Sequence, residues 1–154
     1  MLQSHVANPL LWSHYADKHR GVCLGFEVPE VHATSVLYDP KRLLAAASKL
    51  VGGGAEAQGL MSRLLRTKFS DWKYENEVRV YTALSDVGAA TGHYFKDFWA
   101  DMALREIILG PRYSGSALPI ATLARGCARR VSIIHSRLAF KSFRVVRDKS
   151  KVVV

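Results

Sequence analysis

Cysteine and long apolar runs are scarce in this chain, and each scarcity excludes a class of protein. The two cysteines, Cys23 and Cys127, lie far apart, and neither has a Cys or His neighbour at zinc-ligand spacing. We therefore expect no metal and no disulfide, with both thiols reduced. No apolar run approaches the roughly 18 residues of a membrane-spanning helix, and the N-terminus lacks the pattern of a signal peptide. The sequence predicts a cytoplasmic domain with no membrane contact.

Acidic residues are few relative to basic ones, since 22 Lys and Arg face 13 Asp and Glu for a net charge of +9. Such a field attracts nucleic acid, anionic lipid or a phosphate-bearing small molecule. Aromatic residues, on which single-stranded bases stack, are sparse where the charge is concentrated. A basic surface without a dedicated partner is therefore the alternative to a nucleic-acid site. The late basic residues are Arg125, Arg129, Arg130, Arg137, Lys141, Arg144, Arg147, Lys149 and Lys151.

The order of apolar patterns predicts one α+β domain over residues 1–154, with a mostly antiparallel sheet of about six short strands and four helices. No internal repeat or long linker divides the chain, and the tail 148–154 is expected to fray or to extend the last strand. The predicted strands are GVCLGFEV, SVLYD, EVRVYT, EIILG, VSIIHSRL and FRVVR. The predicted helices cover residues 9–19, the segment from beyond Pro40 to about Leu50, 55–70 and 117–128.

The segment WKYENEVRV carries the most informative local pattern. If a strand begins near Glu75, period two places Glu75, Glu77 and Arg79 on one face. One carboxylate could then bind ribose hydroxyls while the other stabilises a developing cation, with Arg79 fixing their geometry and Trp72 and Tyr74 stacking on the ligand. The alternative is a charged outer face on a half-buried strand. In that case Glu77 and Arg79 form a surface pair worth at most about 1 kcal/mol.

A second pattern, WSHYADKHRGVCLGF, combines a predicted helix with a predicted strand. The helix could bring His14 and Tyr15 to the edge of a strand that contains Gly25, framing a pocket for a planar ring. His14 would act there as a hydrogen-bond donor or as an acid or base, and Trp12 is a further candidate for ligand contact. The alternative is a structural histidine whose hydrogen bonds are satisfied within the fold.

The segments LLWSHYADKHRGVCLGFEV, WKYENEVRV and LREIILG together resemble bacterial domain-of-unknown-function family 2971 over residues 9–110. The family's activity is not established, and its members begin with an earlier strand, so the resemblance implies that this chain lacks an N-terminal part. The longer family pattern is weakly similar to ADP-ribosyltransferases. That similarity implies that Glu77 orients the nicotinamide ribose of NAD, that Glu75 acts on the acceptor, and that His14 or Tyr15 lines the pocket.

Three functions follow as hypotheses. The first is binding of NAD or a related nucleotide, with ADP-ribosyl transfer or cleavage of the glycosidic bond. The second is a non-catalytic nucleic-acid-binding module that uses the basic C-terminal half of the chain. The third is an accessory domain that needs a partner chain, or a second copy in a homo-oligomer, to cover a sheet edge left exposed by the missing strands.

Overall fold

A computed structural model describes most of the chain as two compact units of mixed helix and strand. The described residues are 6–44, 47–82, 93–94, 102–127 and 129–151. Unit 1 comprises Met1–Pro29 and His93–Val154, and unit 2 comprises Glu30–Gly92. The α+β class is confirmed in both units. The single domain over residues 1–154 stays a prediction.

The described residues form eight strands, four α-helices and two 3₁₀ helices. The strands are β1 Val22–Glu27, β2 Thr34–Ser35, β3 Leu37–Asp39, β4 Thr67–Phe69, β5 Val78–Arg79, β6 Ala103–Leu109, β7 Ser132–Leu138 and β8 Val145–Arg147. The α-helices are α1 Pro9–Tyr15, α2 Ala47–Val51, α3 Gly54–Arg66 and α4 Leu118–Arg125. The 3₁₀ helices are Glu30–His32 and Ser70–Glu75. Among the described segments, no helix combines the length and the apolar character needed to span a membrane.

Unit 1 is built on a four-stranded sheet in the order β1-β6-β7-β8. The pairs β1–β6 and β7–β8 are antiparallel, whereas β6 and β7 run parallel, so the sheet is mixed. Strand β6 is central and five of its seven residues are buried, as expected for a strand that is covered on both faces. Within the described part of unit 1, β1 and β8 are the edges of this sheet. Pairing of an edge with a partner or a second copy stays a prediction.

Alternate residues of β6 supply two apolar clusters. Ile108 packs with Trp12, Ala16 and Val145 in one cluster. In the other cluster, Leu109 is fully buried with its neighbours on β6 and α4. Period two along a strand sends Ile108 to one face and Ile107 and Leu109 to the other. Leu104 joins the second cluster beyond a register shift in the β1–β6 pairing. The predicted strands EIILG, VSIIHSRL and FRVVR are thus confirmed as the parts of the sheet that carry the core.

Helix α1 is shorter than the predicted helix 9–19, and that prediction is wrong over its last four residues, 16–19. The predicted start is confirmed, since α1 begins at Pro9. Asn8 caps the helix by accepting a hydrogen bond from the Leu10 backbone N–H at 3.0 Å. It ends at Tyr15 because Asp17, Lys18 and His19 adopt positive φ angles of 42°, 50° and 73°. Three consecutive left-handed residues cannot continue a right-handed helix.

The described part of the tail, residues 148–151, forms a turn. The Asp148 carboxylate accepts hydrogen bonds from the Ser150 backbone N–H at 3.1 Å and from its hydroxyl at 2.6 Å. The rest of the predicted tail, residues 152–154, lies outside the described residues. The Asp148 backbone N–H also donates to the His135 carbonyl of β7 at 2.8 Å, so the first tail residue stays bonded to the sheet. Fraying of the tail stays a prediction.

Unit 2 contains two small sheets, an antiparallel pair β2–β5 and a parallel pair β3–β4. Helix α3 ends at Arg66, so the predicted helix 55–70 is too long. Residues 67–69 pair with β3 instead, in the register Leu37↔Thr67. The predicted helix beyond Pro40 begins later than expected, since 41–44 are not helical and α2 starts at Ala47. The predicted strand EVRVYT pairs only at Val78–Arg79.

The partly buried thiol of Cys23 leads to a prediction about its reactivity. It packs against the Trp12 cluster, and burial, followed by the charge of Glu106, raises its pKa. In a Cys127→Ser background, we expect the labelling of Cys23 by a disulfide reagent to require higher pH than in the unfolded chain. Adding Glu106→Gln should lower the pH midpoint of labelling. An unchanged midpoint would show that Glu106 does not affect this thiol.

Candidate functional site

Four charged side chains of unit 2, Lys68, Glu75, Glu77 and Arg79, form one connected network that we call the Lys68 cluster. The ammonium of Lys68 on β4 donates to Oε2 of Glu75 and, at 3.0 Å, to Oε2 of Glu77. Arg79 Nε donates to Glu77 Oε1 at 2.7 Å. The Glu75 side chain is only 5% exposed, so Lys68 supplies positive charge to a largely buried carboxylate.

A tight turn brings the two carboxylates together. Glu75 is the last residue of the 3₁₀ helix, and Asn76 then adopts a left-handed φ of 46°. After the turn, the Glu77 backbone N–H donates to the Tyr38 hydroxyl at 2.7 Å, and the Glu77 carbonyl accepts from Val36 at 3.0 Å. The predicted strand starting near Glu75 is therefore wrong. The predicted proximity of Glu75, Glu77 and Arg79 is nevertheless present, because Lys68 joins both carboxylates.

The electrostatics of the cluster keep Lys68, Glu77 and Arg79 charged. The hydrogen bond from Arg79, followed by that from Lys68, holds the pKa of Glu77 below its ordinary value. Burial alone would lower the pKa of Lys68, but the hydrogen bonds to Glu75 and Glu77 outweigh it and raise this pKa. The pKa of Arg79 is likewise raised, chiefly by Glu77. Glu77 is thus an acceptor of hydrogen bonds at neutral pH, and Lys68 is a donor.

Further contacts tie the cluster to helix α3 and to two aromatic rings. The Leu65 carbonyl, in the last turn of α3, accepts hydrogen bonds from Arg79 and, at 2.9 Å, from the Tyr81 hydroxyl. The Lys68 ammonium lies 5.2 Å from the centroid of the Trp72 ring. The Trp72 and Tyr74 rings are 6.0 Å apart and both are exposed. The two aromatic candidates therefore lie beside the cluster on the surface of unit 2.

A cleft of about 530 Å³ opens where the parallel strands β3 and β4 end. Three cations, Lys41, Arg42 and Lys68, contribute to its lining, against one carboxylate, that of Asp39. Asp39 Oδ1 accepts from the Lys41 backbone N–H at 2.8 Å, which shapes the chain at the end of β3. Lys68 thus belongs both to the cleft and to the Lys68 cluster.

Sequence reasoning missed Lys41, Arg42, Lys68 and Tyr38. The run of charges after the break at Asp39-Pro40 is a signal that could have pointed to Lys41 and Arg42. No local signal exists for Lys68, because it lies in a segment with helical patterning, and its partners follow seven and nine residues later. Within the described residues, no group of His, Cys, Asp or Glu is arranged to bind a metal ion.

The candidates near the N-terminus belong to unit 1. Trp12 is buried in the core, and its indole N–H donates to the Val6 carbonyl at 2.7 Å. His14 and Tyr15 are exposed on α1, with ring centroids 6.3 Å apart. Gly25 lies in β1 opposite Glu106 of β6, where an added Cβ would come within 3.2 Å of the Glu106 Cβ. Trp12 therefore serves the core, whereas His14 and Tyr15 remain accessible.

Comparison with known proteins matches a segment that contains most of α1, all of β1 and the Lys68 cluster. Residues 11–80 match the model of a family described as "Protein of unknown function (DUF2971)". The searches of curated proteins and of solved structures find no match. The matched segment holds 70 of the 154 residues. Over residues 11–80, the chain is therefore similar to this family, whose description names no activity.

Proposed function

We propose that unit 2 binds a nucleotide through its phosphates, that NAD is this nucleotide, and that the bound NAD is cleaved at its nicotinamide–ribose bond. One observation carries the proposal: Lys68 lines a cation-rich cleft and also binds the carboxylates of Glu75 and Glu77. A cation-lined cleft and a pair of carboxylates are thereby connected through a single side chain.

The cleft fits the phosphate part of such a ligand. Its volume of about 530 Å³ lies in the usual range of small-molecule sites, which is roughly 300 to 1,000 Å³. A dinucleotide pyrophosphate carries two negative charges, which Lys41 and Arg42 can balance, since the Lys68 ammonium already pairs with two carboxylates. Arginine binds phosphate oxygens through two parallel N–H groups, and lysine adds a compact charge.

Glu77 is suited to the ribose part. A carboxylate offers about four lone-pair sites, and three donors already occupy Glu77: Arg79 Nε, a second Arg79 nitrogen at 3.3 Å, and Lys68. One site remains for a ribose hydroxyl. The exposed rings of Trp72 and Tyr74 beside Lys68 offer a stacking surface for a planar base.

The proposed reaction transfers ADP-ribose from nicotinamide to water or to another nucleophile. The bond between ribose C1′ and the nicotinamide nitrogen breaks, and its electron pair goes to that nitrogen, which leaves as neutral nicotinamide. The nucleophile's oxygen forms the new bond to C1′ and releases its proton to solvent. Glu77 stabilises the positive charge that develops on the ribose. Glu75, being largely buried, acts as a positioning residue that fixes the Lys68 ammonium.

The binding step is tested by calorimetric titration of NAD and ADP into the full chain. We expect Arg42→Gln to weaken binding of both about tenfold, because a charged hydrogen bond to phosphate is lost. The matched control is Lys49→Gln, which removes an exposed lysine of α2 whose contact is with Glu56 rather than with the cleft. A parent chain that binds neither ligand at millimolar concentration would refute the proposal, as would equal losses in both variants.

The chemical step is tested by measuring nicotinamide release from NAD. We expect Glu77→Gln to reduce release at least about 100-fold while ADP binding stays within about twofold of the parent, since the phosphates bind elsewhere. Binding of NAD without release by the parent would refute the cleavage and leave nucleotide binding as the function. Equal release by parent and variant would remove Glu77 from the mechanism.

A further inference from the structure

The turn between β7 and β8 exposes two phenylalanine rings. Phe140 is 90% exposed and Phe143 is 98% exposed. The turn is closed by backbone hydrogen bonds, from Ala139 to the Arg144 carbonyl and from Arg144 to the Ser142 carbonyl, both at 2.9 Å. Phenylalanine normally buries a large apolar area on folding, so two exposed rings three residues apart indicate a contact surface.

Cations alternate with these rings. The Arg137 guanidinium lies 4.4 Å from the centroid of the Phe140 ring, and its NH1 donates to the Leu138 carbonyl at 3.0 Å. Lys141 lies between the two rings in sequence, and Arg144 follows Phe143. No acidic residue occurs from Arg137 to Arg147. The hairpin thus combines flat apolar surfaces with an excess of positive charge, although the Asp148 carboxylate interacts with Arg137.

We propose that this hairpin binds single-stranded nucleic acid, with bases stacked on Phe140 and Phe143 and phosphates paired with Arg137, Lys141 and Arg144. Aromatic rings interleaved with cations are the combination that binds unpaired strands without sequence preference, since every base has a face that can stack. The inference concerns unit 1 and is independent of the nucleotide cleft of unit 2. Aromatic residues are sparse in the late basic segment, but Phe140 and Phe143 supply an exposed aromatic surface there.

The same features disfavour insertion of the tip into a membrane. Carrying a guanidinium or an ammonium into the hydrocarbon region is unfavourable, and Arg137 is in contact with the Phe140 ring itself. A nucleic acid strand, in contrast, uses the open face of the ring and the adjacent cation together. The alternation of rings and cations therefore favours binding of a polyanion with planar groups over insertion into a membrane.

The test uses the full chain and a fluorescein-labelled oligonucleotide of 15 thymidines, with binding followed by fluorescence anisotropy. We expect Phe140→Ala and Phe143→Ala each to weaken binding about tenfold, through loss of a base stack. Both side chains are almost fully exposed, so the variants should unfold at the parent's midpoint. The matched control is Leu123→Ala, which truncates an exposed apolar side chain on α4.

Two further measurements separate stacking from charge alone. Phe143→Trp should bind within about twofold of the parent, and oligonucleotide should quench its added emission, because a stacked indole contacts the base directly. Raising salt from 50 to 200 mM should weaken binding at least about tenfold if three phosphates are contacted. No binding at 50 mM salt, an equal loss in Leu123→Ala, or preference of the hairpin for phosphatidylserine vesicles would each overturn the proposal.

Discussion

Replacing Lys68 with methionine is expected to lower the free energy of unfolding by about 3 kcal/mol, because a buried carboxylate then loses its counter-charge. The Glu75 side chain is 5% exposed and is bonded to the Lys68 ammonium. Methionine preserves much of the lysine's length and apolar stem, so the change isolates the charge. Urea unfolding of the full chain, followed by tryptophan fluorescence and circular dichroism at pH 7, measures the loss.

The chain offers a matched control in the same unit. Lys49 and Glu56 form an ion pair at 3.2 Å, but their side chains are 60% and 76% exposed. Exposed pairs contribute less than about 1 kcal/mol because water screens them and holding two long side chains costs entropy. Lys49→Met should therefore have a small effect. Similar losses for Lys49→Met and Lys68→Met would contradict the importance of burial at the Lys68 cluster.

A double substitution separates the lost charge from the lost packing. Adding Glu75→Gln to Lys68→Met removes the buried carboxylate that has lost its bond to Lys68, so the double variant should be more stable than Lys68→Met alone. The comparison belongs at pH 7 because the pKa of Glu77 is lowered. The contribution of the Glu77 carboxylate to the free energy of unfolding is present above pH 4.5, the ordinary pKa of this group. It is lost as the pH falls through the lowered pKa of Glu77. No recovery in the double variant would mean that the Lys68 stem, rather than its charge, is what matters.

The sequence predicted most of unit 1 because its strands are long and apolar. Strand β6 is buried on both faces and contains the run EIIL, which local patterning identifies without knowledge of its partners. Strand β4 was assigned to a helix, since Thr67, Lys68 and Phe69 follow 13 helical residues without a breaker. Its pairing with β3 is a tertiary interaction, and such pairing overrides local propensity.

In the candidate site, too, residues close in sequence could be predicted to lie together, whereas a residue placed by tertiary pairing could not. Alternation of Glu75, Glu77 and Arg79 in the sequence correctly suggested that they lie together, although a 3₁₀ helix and a left-handed Asn76 produce the arrangement. Lys68 could not be found in this way, because its role depends on where β4 lies. The hairpin rings were missed for another reason: sequence does not reveal whether a phenylalanine is buried.

The second large effect is expected at Gly110, which is buried directly after β6. A Cβ at this position would lie 2.3 Å from the His19 carbonyl oxygen and 2.8 Å from that of Gly21. Both obstacles are backbone atoms, so no side-chain rotation relieves the clash. Hydrogen bonds fix the same region, from Gly110 to the Gly21 carbonyl and from Arg112 to the His19 carbonyl, each at 3.0 Å. Gly110→Ala should therefore lower the free energy of unfolding by about 3 kcal/mol.

Gly59 is the appropriate control for this substitution. It lies inside α3, and a Cβ there would meet no atom within 4 Å. Because alanine favours a helix over glycine, Gly59→Ala should raise the free energy of unfolding by about 0.5 to 1 kcal/mol. The two alanine substitutions should thus shift the urea midpoint in opposite directions. Equal midpoints for the parent and Gly110→Ala would contradict this prediction. They would show that the left-handed turn at Asp17–His19 can move to accommodate a methyl group at position 110 without loss of stability.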